Sequence, residues 1–415
     1  MSETRKTAAI CGIALALVGL TWATAPRVRT PSVFADRGER LFPQLTDPNT
    51  AASLEVIELD ERSGTVRPFK VQNRDGRWTI PSQHDYPADA RDRLAQTTAA
   101  IIALRKDDVA SDNAADAERC GVVDPLDTTL PNIKGRGIRM TLRGRQGQVL
   151  ADIIIGSPVE GHPGLRYVRQ PGQNRIYISD VGDLKVSTAF GDWIERDLLQ
   201  VTTDEVDAIN LRNYSLDRGA RRINPGEVIL LQKGRSGPWT IKGGTARAPL
   251  NLAAVDALVA QLANLRIVGV LPKPQGITAT LSAETNSATL SAEDRSDLAR
   301  KGFYLAPDGQ LLSSQGEMVI RTVRGVFYTL RFGEVGPREA APAETPDAQP
   351  GSPGEDRYLF IMVNFDPRSA STPGRAAEGA DKVRLLRQRF APWYYVIAAD
   401  SFAHIRVRRR DLVGP

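Results

Sequence analysis

Apolar and polar positions fall into three regimes along this 415-residue chain. Residues 7–25 form one uncharged, mostly apolar run, which as a helix would span roughly 28 Å, the thickness of a bilayer core. Beyond it, short segments alternate apolar and polar residues with the period of two expected of half-buried strands. Two segments carry a helical period instead. Leu94, Thr98, Ile101 and Ile102 mark the first, which should open at Tyr86-Pro87-Ala88-Asp89. Val255, Leu258, Val259, Leu262 and Leu265 mark the second, with Asn251 as a natural N-cap. Each is followed by a shorter predicted helix. One opens at Ser111 and stops at Cys120-Gly121; the other opens at Ser291, with Asp294 placed for a capping box, and stops at Lys301-Gly302.

The pattern occurs twice. Gly76-Arg77-Trp78-Thr79-Ile80 returns as Gly237-Pro238-Trp239-Thr240-Ile241. Hairpins over 138–142 and 149–155 answer to hairpins over 318–323 and 326–332. Arg166-Tyr167-Val168 matches Arg357-Tyr358-Leu359, and Arg196-Asp197-Leu198 matches Arg410-Asp411-Leu412. The order predicts an α+β fold: an N-terminal transmembrane helix, then two similar modules, each a mostly antiparallel sheet with two helices and a core of its own. The boundaries read as tail and anchor 1–30, juxtamembrane segment 31–53, first repeat 54–199 and second repeat 206–413. A Pro-rich insertion near 334–356 and a loop near 366–381 lengthen the second.

The landmarks resemble a bacterial family known as domain of unknown function 4340. The likeness rests on Gly38-Glu39-Arg40-Leu41-Phe42-Pro43-Gln44-Leu45, the Gly-x-Trp strand before Tyr86-Pro87-Ala88-Asp89, the hairpin from Gly147 through Ile155-Gly156 to Tyr167-Val168, and Asp192-Trp193 with Asp197-Leu198-Leu199. It implies an envelope protein with one membrane helix that accompanies gliding-motility-type ABC transporter components. It supplies no catalytic residues.

Charge changes this picture little. The net charge is +5, and much of it comes from Arg5, Lys6, Arg27 and Arg29 around the apolar run. The short basic run Arg406-Val407-Arg408-Arg409-Arg410 lacks the interleaved aromatics of a nucleic-acid surface, so no nucleic-acid partner is expected. The two cysteines, Cys11 and Cys120, cannot form a disulfide framework. The expected location is the bacterial inner membrane, single-pass through a signal-anchor, with the ectodomain in the periplasm.

Candidate chemistry is sparse. No nucleophile elbow, zinc signature, phosphate loop or dinucleotide fingerprint occurs, and no catalytic, metal or cofactor residues are assigned. Of the three histidines, His84 and His162 read as turn and loop residues and His404 as part of a strand over 402–407. Asp107-Asp108 and Asp192 with Glu195 are the acid pairs a glycosidase would need, though solvated surface charge explains them as well. Trp78 and Trp239, matched in the repeat, read as core. Trp193 and Trp393, near the ends of the halves, are the candidate interaction surface. These features point to a non-enzymatic, membrane-anchored scaffold or accessory subunit of an ABC-exporter-like complex, touching lipid through residues 7–25 and partner proteins elsewhere. A binding module for an envelope glycan or peptide is the alternative, and a carboxylate-dependent hydrolase the third.

Overall fold

The computed structural model describes residues 36–414 except 61–63, 130–132, 183, 185–187, 189, 218–221, 235–236, 243–248, 279–289 and 337–355. Alternation of burial builds the first sheet. In β1 (Ala51–Asp60), Leu54 and Val56 point inward, facing Val71 and Phe69 of β2 (Thr65–Arg74). β3 (Arg77–Ile80), β4 (Tyr86–Pro87), β5 (Asp108–Ser111), β6 (Ile138–Gly144), β7 (Val149–Pro158), β8 (Leu165–Arg169) and β9 (Ile176–Asp180) complete nine strands in the order β4-β3-β2-β1-β6-β7-β8-β9-β5. One helix, α1 (Arg91–Ala103), turns Leu94, Thr98 and Ile101 into the core.

The second half begins with β10 (Val206–Arg212), followed by a small ladder of β11 (Ser215–Asp217) and β12 (Arg222–Asn224). Then come β13 (Val228–Lys233), β14 (Trp239–Lys242), α2 (Leu252–Ala263), β15 (Ile267–Pro272) and α3 (Ala292–Arg300). A second small ladder, β16 (Phe303–Leu305) with β17 (Leu311–Ser313), leads to β18 (Glu317–Thr322), β19 (Arg324–Val335) and β20 (Arg357–Ala370). The chain ends through α4 (Pro373–Phe390), β21 (Trp393–Ile397) and α5 (Ala399–Ile405). Eight of these strands form one sheet, β14-β13-β10-β18-β19-β20-β21-β15. Apart from the short β4 at one edge, the two sheets share one strand order. They share a register irregularity too: the β1–β6 ladder shifts between Ala51 and Ser53, the β10–β18 ladder between Val206 and Ala208.

The structure corrects the expected fold in several respects. Large antiparallel sheets dominate, in place of two modules with two helices each. The helix expected from Ser111 to Cys120 is only a 3-10 turn over Ala114–Ala117, capped by Asn113, while Ser111 ends a strand. Tyr86 and Pro87 pair with β3 instead of opening α1, which starts at Arg91. The segment 366–381, expected to be a loop, holds the end of β20 and the first half of the eighteen-residue α4. His404 sits in α5, its Nδ1 2.6 Å from the Asp400 carbonyl, and not in a strand. The halves do not have separate cores: one apolar cluster holds Leu54, Val56 and Trp193 together with Ile209, Tyr328 and Phe390. Residues taken for a juxtamembrane segment are folded as well. Leu41, Phe42 and Leu45 enter the core, and Asp36 accepts hydrogen bonds from Tyr177 (2.7 Å) and Lys106 (3.1 Å).

The expected membrane helix at 7–25 and most of the Pro-rich insertion lie outside the described residues. Among those described, no helix is long and apolar enough to cross a membrane. The expectation of a single-pass inner-membrane protein therefore has no support in the structure and is not carried further.

Candidate functional site

The two halves meet beside Trp393. After β3, a 3-10 turn over Pro81–Gln83 is followed by His84 and Asp85, both in the left-handed region at φ 55° and 57°. This reversal delivers Tyr86 to the sheet edge and leaves Asp85 and Asp89 exposed on either side of it. The Asp89 amide donates to the Trp193 carbonyl at 2.8 Å, which fixes the strand end against the close of the first half. From the second half, α4 ends at Phe390 and the chain turns through Pro392 into β21, so that Trp393 lies edge-on to Tyr86 with ring centroids 5.1 Å apart. Tyr86 in turn packs against Phe190 at 5.4 Å.

A cleft of about 630 Å³ opens there, lined by Asp85, Tyr86, Pro87, Ala88, Asp89, Glu195, Gln388, Arg389, Pro392 and Trp393. Its size suits a side chain or short segment of a ligand. Arg389 clamps the two halves across it. Its guanidinium pairs with Glu195 and donates to the Asp197 carbonyl at 3.3 Å, while its own carbonyl accepts from Tyr395 at 3.1 Å. Burial raises the Tyr86 hydroxyl above its ordinary range and Tyr395 further still. Burial also raises Asp197, against the two backbone amides, Gln200 and Val201, that favour its ionised form. Glu195 and Arg389 neutralise each other. Asp85 accepts one hydroxyl bond, from Thr79 at 3.3 Å, and neither Asp85 nor Asp89 has an ion-pair partner among the described residues.

The candidate tryptophans separate sharply. Trp193 is wholly buried, its ring 5.6 Å from Phe69 and under the Arg93 guanidinium at 5.3 Å, so it cannot be presented to a partner. Trp393 is half-buried and lines the cleft. Trp239 is buried, whereas Trp78 packs on the core and also lines a smaller recess of about 350 Å³ with Arg91 and Arg145.

The acid pairs are not brought together. The Asp107 carboxylate accepts the Asp180 amide at 2.8 Å, and Asp108 lies 3.5 Å from Arg37. Asp192 pairs with Arg93 and Arg196 and Glu195 with Arg389. Among the described residues no group of three His, Cys, Asp or Glu could hold a metal ion. Cys120 is buried, and burial pushes its thiol up. The contributions of Asp85, Asp89, Gln388 and Arg389 to the cleft had no sequence signal; they converge only because the chain folds back on itself some 300 residues later, a span roughly that between Asp85 and Gln388.

The chain matches the family model described as Domain of unknown function (DUF4340) over residues 78–286, half of its length, and belongs to that family. The match crosses the boundary between the two sheets and includes Asp85, Tyr86, Asp89 and Glu195 of the cleft, but not Gln388, Arg389 or Trp393. No curated protein and no solved structure matches the chain.

Proposed function

We propose that this protein is a non-enzymatic accessory subunit that docks a partner protein in the cleft between its two sheets. The observation that carries this reading is the half-buried Trp393 on the wall of a cleft to which both halves contribute. A rigid aromatic at the centre of a concave, partly polar surface is the usual anchor of a protein contact. Most of the large aromatic residues are spent on holding the sheets together, which suits a scaffold, and the acid pairs Asp107-Asp108 and Asp192 with Glu195 are tied into ion pairs or backbone bonds instead of facing one another. The accessory role beside a transporter that the family resemblance implies is the version to examine first.

Affinity purification of the tagged full chain from its native source tests the proposal. The wild type brings down a stoichiometric partner, and Trp393→Ala, once its far-UV circular dichroism and unfolding midpoint match the wild type, loses it. Recovery of the wild-type chain alone under gentle conditions overturns the reading. A second reading, glycan binding, is favoured by one feature: the Trp393 ring stands with the exposed amide of Gln388 and the carboxylates of Asp85 and Asp89, a set that suits sugar hydroxyls.

A further inference from the structure

The recess of about 350 Å³ at Trp78 lies where the starts of β1 and α1 meet β2, β3 and the turn between β6 and β7, and it shares no lining residue with the cleft at Trp393. Asn49, Asn73, Trp78, Arg91 and Arg145 supply its polar and aromatic lining. The charged groups that line it are the two guanidiniums, and neither Arg91 nor Arg145 has a hydrogen-bond or ion-pair partner among the described residues. Arg91 opens α1, where a cation opposes the helix dipole, so the helix itself gains nothing from it. The two asparagines are already oriented. Asn73 accepts the Gly76 amide on its Oδ1 at 3.1 Å, which leaves its NH2 to donate; Asn49 donates from Nδ2 to Asp47 at 3.2 Å, which leaves its Oδ1 to accept. Asp47 does not line the recess, and its Oδ1 also accepts the Asn49 backbone amide at 2.9 Å.

The second half shows the same places closed. Trp239, the counterpart of Trp78, is buried. Arg324, in the turn that answers to that of Arg145, is tied to Glu205 at 2.6 Å and to Glu378 at 3.1 Å. Glu205 directly precedes β10; the residue directly before β1 is Thr50, which carries no charge. Glu378 belongs to α4, between β20 and β21, whereas residues 170–175 alone join the matching β8 and β9. The repeat thus neutralises its turn arginine and seals its tryptophan in one half and leaves both open in the other.

We propose that this recess binds an anionic sugar: a pyranose ring packed on Trp78, its carboxylate or phosphate held by Arg91 and Arg145 and its hydroxyls by Asn73 and Asn49. The inference does not rest on the docking reading above. Guanidiniums match carboxylate and phosphate oxygens in pairs, and the volume suits a small molecule. The rigid aromatic face, with one amide donor and one amide acceptor beside it, selects a ring rich in hydroxyls; an acidic side chain of a peptide would leave both asparagines unused.

The test is a glycan array of neutral, uronate-bearing and phosphate-bearing saccharides probed with the full chain, followed by calorimetric titration of the best acidic saccharide and of the same saccharide without its acid group. The expected result is retention of acidic saccharides, with the neutral counterpart bound about tenfold or more weakly; the uronate and phosphate arms show which anion is read. Affinity falls about tenfold or more in Arg91→Gln/Arg145→Gln, used once its unfolding midpoint matches the wild type, and declines with salt. Both of these side chains are exposed. Trp393→Ala leaves this binding unchanged, which separates it from the glycan reading of the cleft. Retention of no acidic saccharide, equal binding of acidic and neutral forms, or loss in Trp393→Ala but not in Arg91→Gln/Arg145→Gln overturns the proposal and leaves the docking reading standing. Inorganic phosphate bound as tightly as the sugar, or an oligoglutamate peptide bound where no saccharide is, also overturns it.

Discussion

Lys273 shows how much one residue's surroundings decide. It is only 6% exposed, its Nζ donating to the Phe390 carbonyl at 3.0 Å and lying 4.0 Å from the centre of the Phe360 ring and 5.5 Å from that of Tyr394. Burial holds its ammonium well below the usual lysine range, although the end of α4 and the two ring faces offset part of that cost. The native state therefore releases this proton at lower pH than the unfolded chain does. Stability should rise as pH climbs from the native value towards the ordinary lysine value, and be flat with respect to this group below that window. Urea midpoints across the alkaline range should show the wild type gaining on Lys273→Met; parallel curves would contradict this. Nothing in the sequence marks Lys273, because its environment comes from β20, α4 and β21, all more than eighty residues away. Trp193 and Trp393 make the same point. Each reads as a tryptophan near the end of a repeat, and only the packing puts one in the core and the other at a cleft.

Element by element, legibility followed the locality of the signal. The caps of α2 and α3 were readable because a cap is a contact within four residues: Asn251 accepts the Ala254 amide at 3.1 Å, and Ser291 and Asp294 form the reciprocal box. The alternation of the two central hairpins was equally plain, since the inward face of each strand is continuous. α4 was not readable. Pro373, Gly374 and Gly379 and a dense set of charges gave the segment the composition of a loop, yet it packs on β19 and β20. Gly379 shows the reason for one of those glycines: a Cβ there would lie 2.2 Å from the Arg324 carbonyl oxygen and 2.9 Å from the Phe365 ring. Gly379→Ala should thus lower stability in denaturant unfolding, against the usual helical preference for alanine of about 1 kcal/mol. Gly374, with nothing within 4 Å of its Cβ position, serves as the control, and Gly374→Ala should raise stability by about 0.5 kcal/mol. Equal gains at both positions would mean that α4 does not approach β19 as described.

For the molecule as a whole, the repetition of strands was foreshadowed by the paired sequence landmarks, whereas the register irregularity the two sheets share had no landmark. The joining of the halves was not foreshadowed either, because a common core depends on contacts between residues hundreds of positions apart, such as Tyr86 with Trp393 and Glu195 with Arg389. That joining creates the cleft and gives the chain a surface that neither sheet has alone. It also distinguishes the cleft from another apolar surface among the described residues, the outer side of β13, where Val228 is 60% and Leu230 37% exposed. Hydrogen exchange of the full chain, alone and in the purified complex with its partner, decides between them most directly. Docking between the sheets predicts new protection over residues 85–89 and 388–393, abolished with the complex by Trp393→Ala. Unchanged exchange in both segments, with protection over β13 instead, would contradict it.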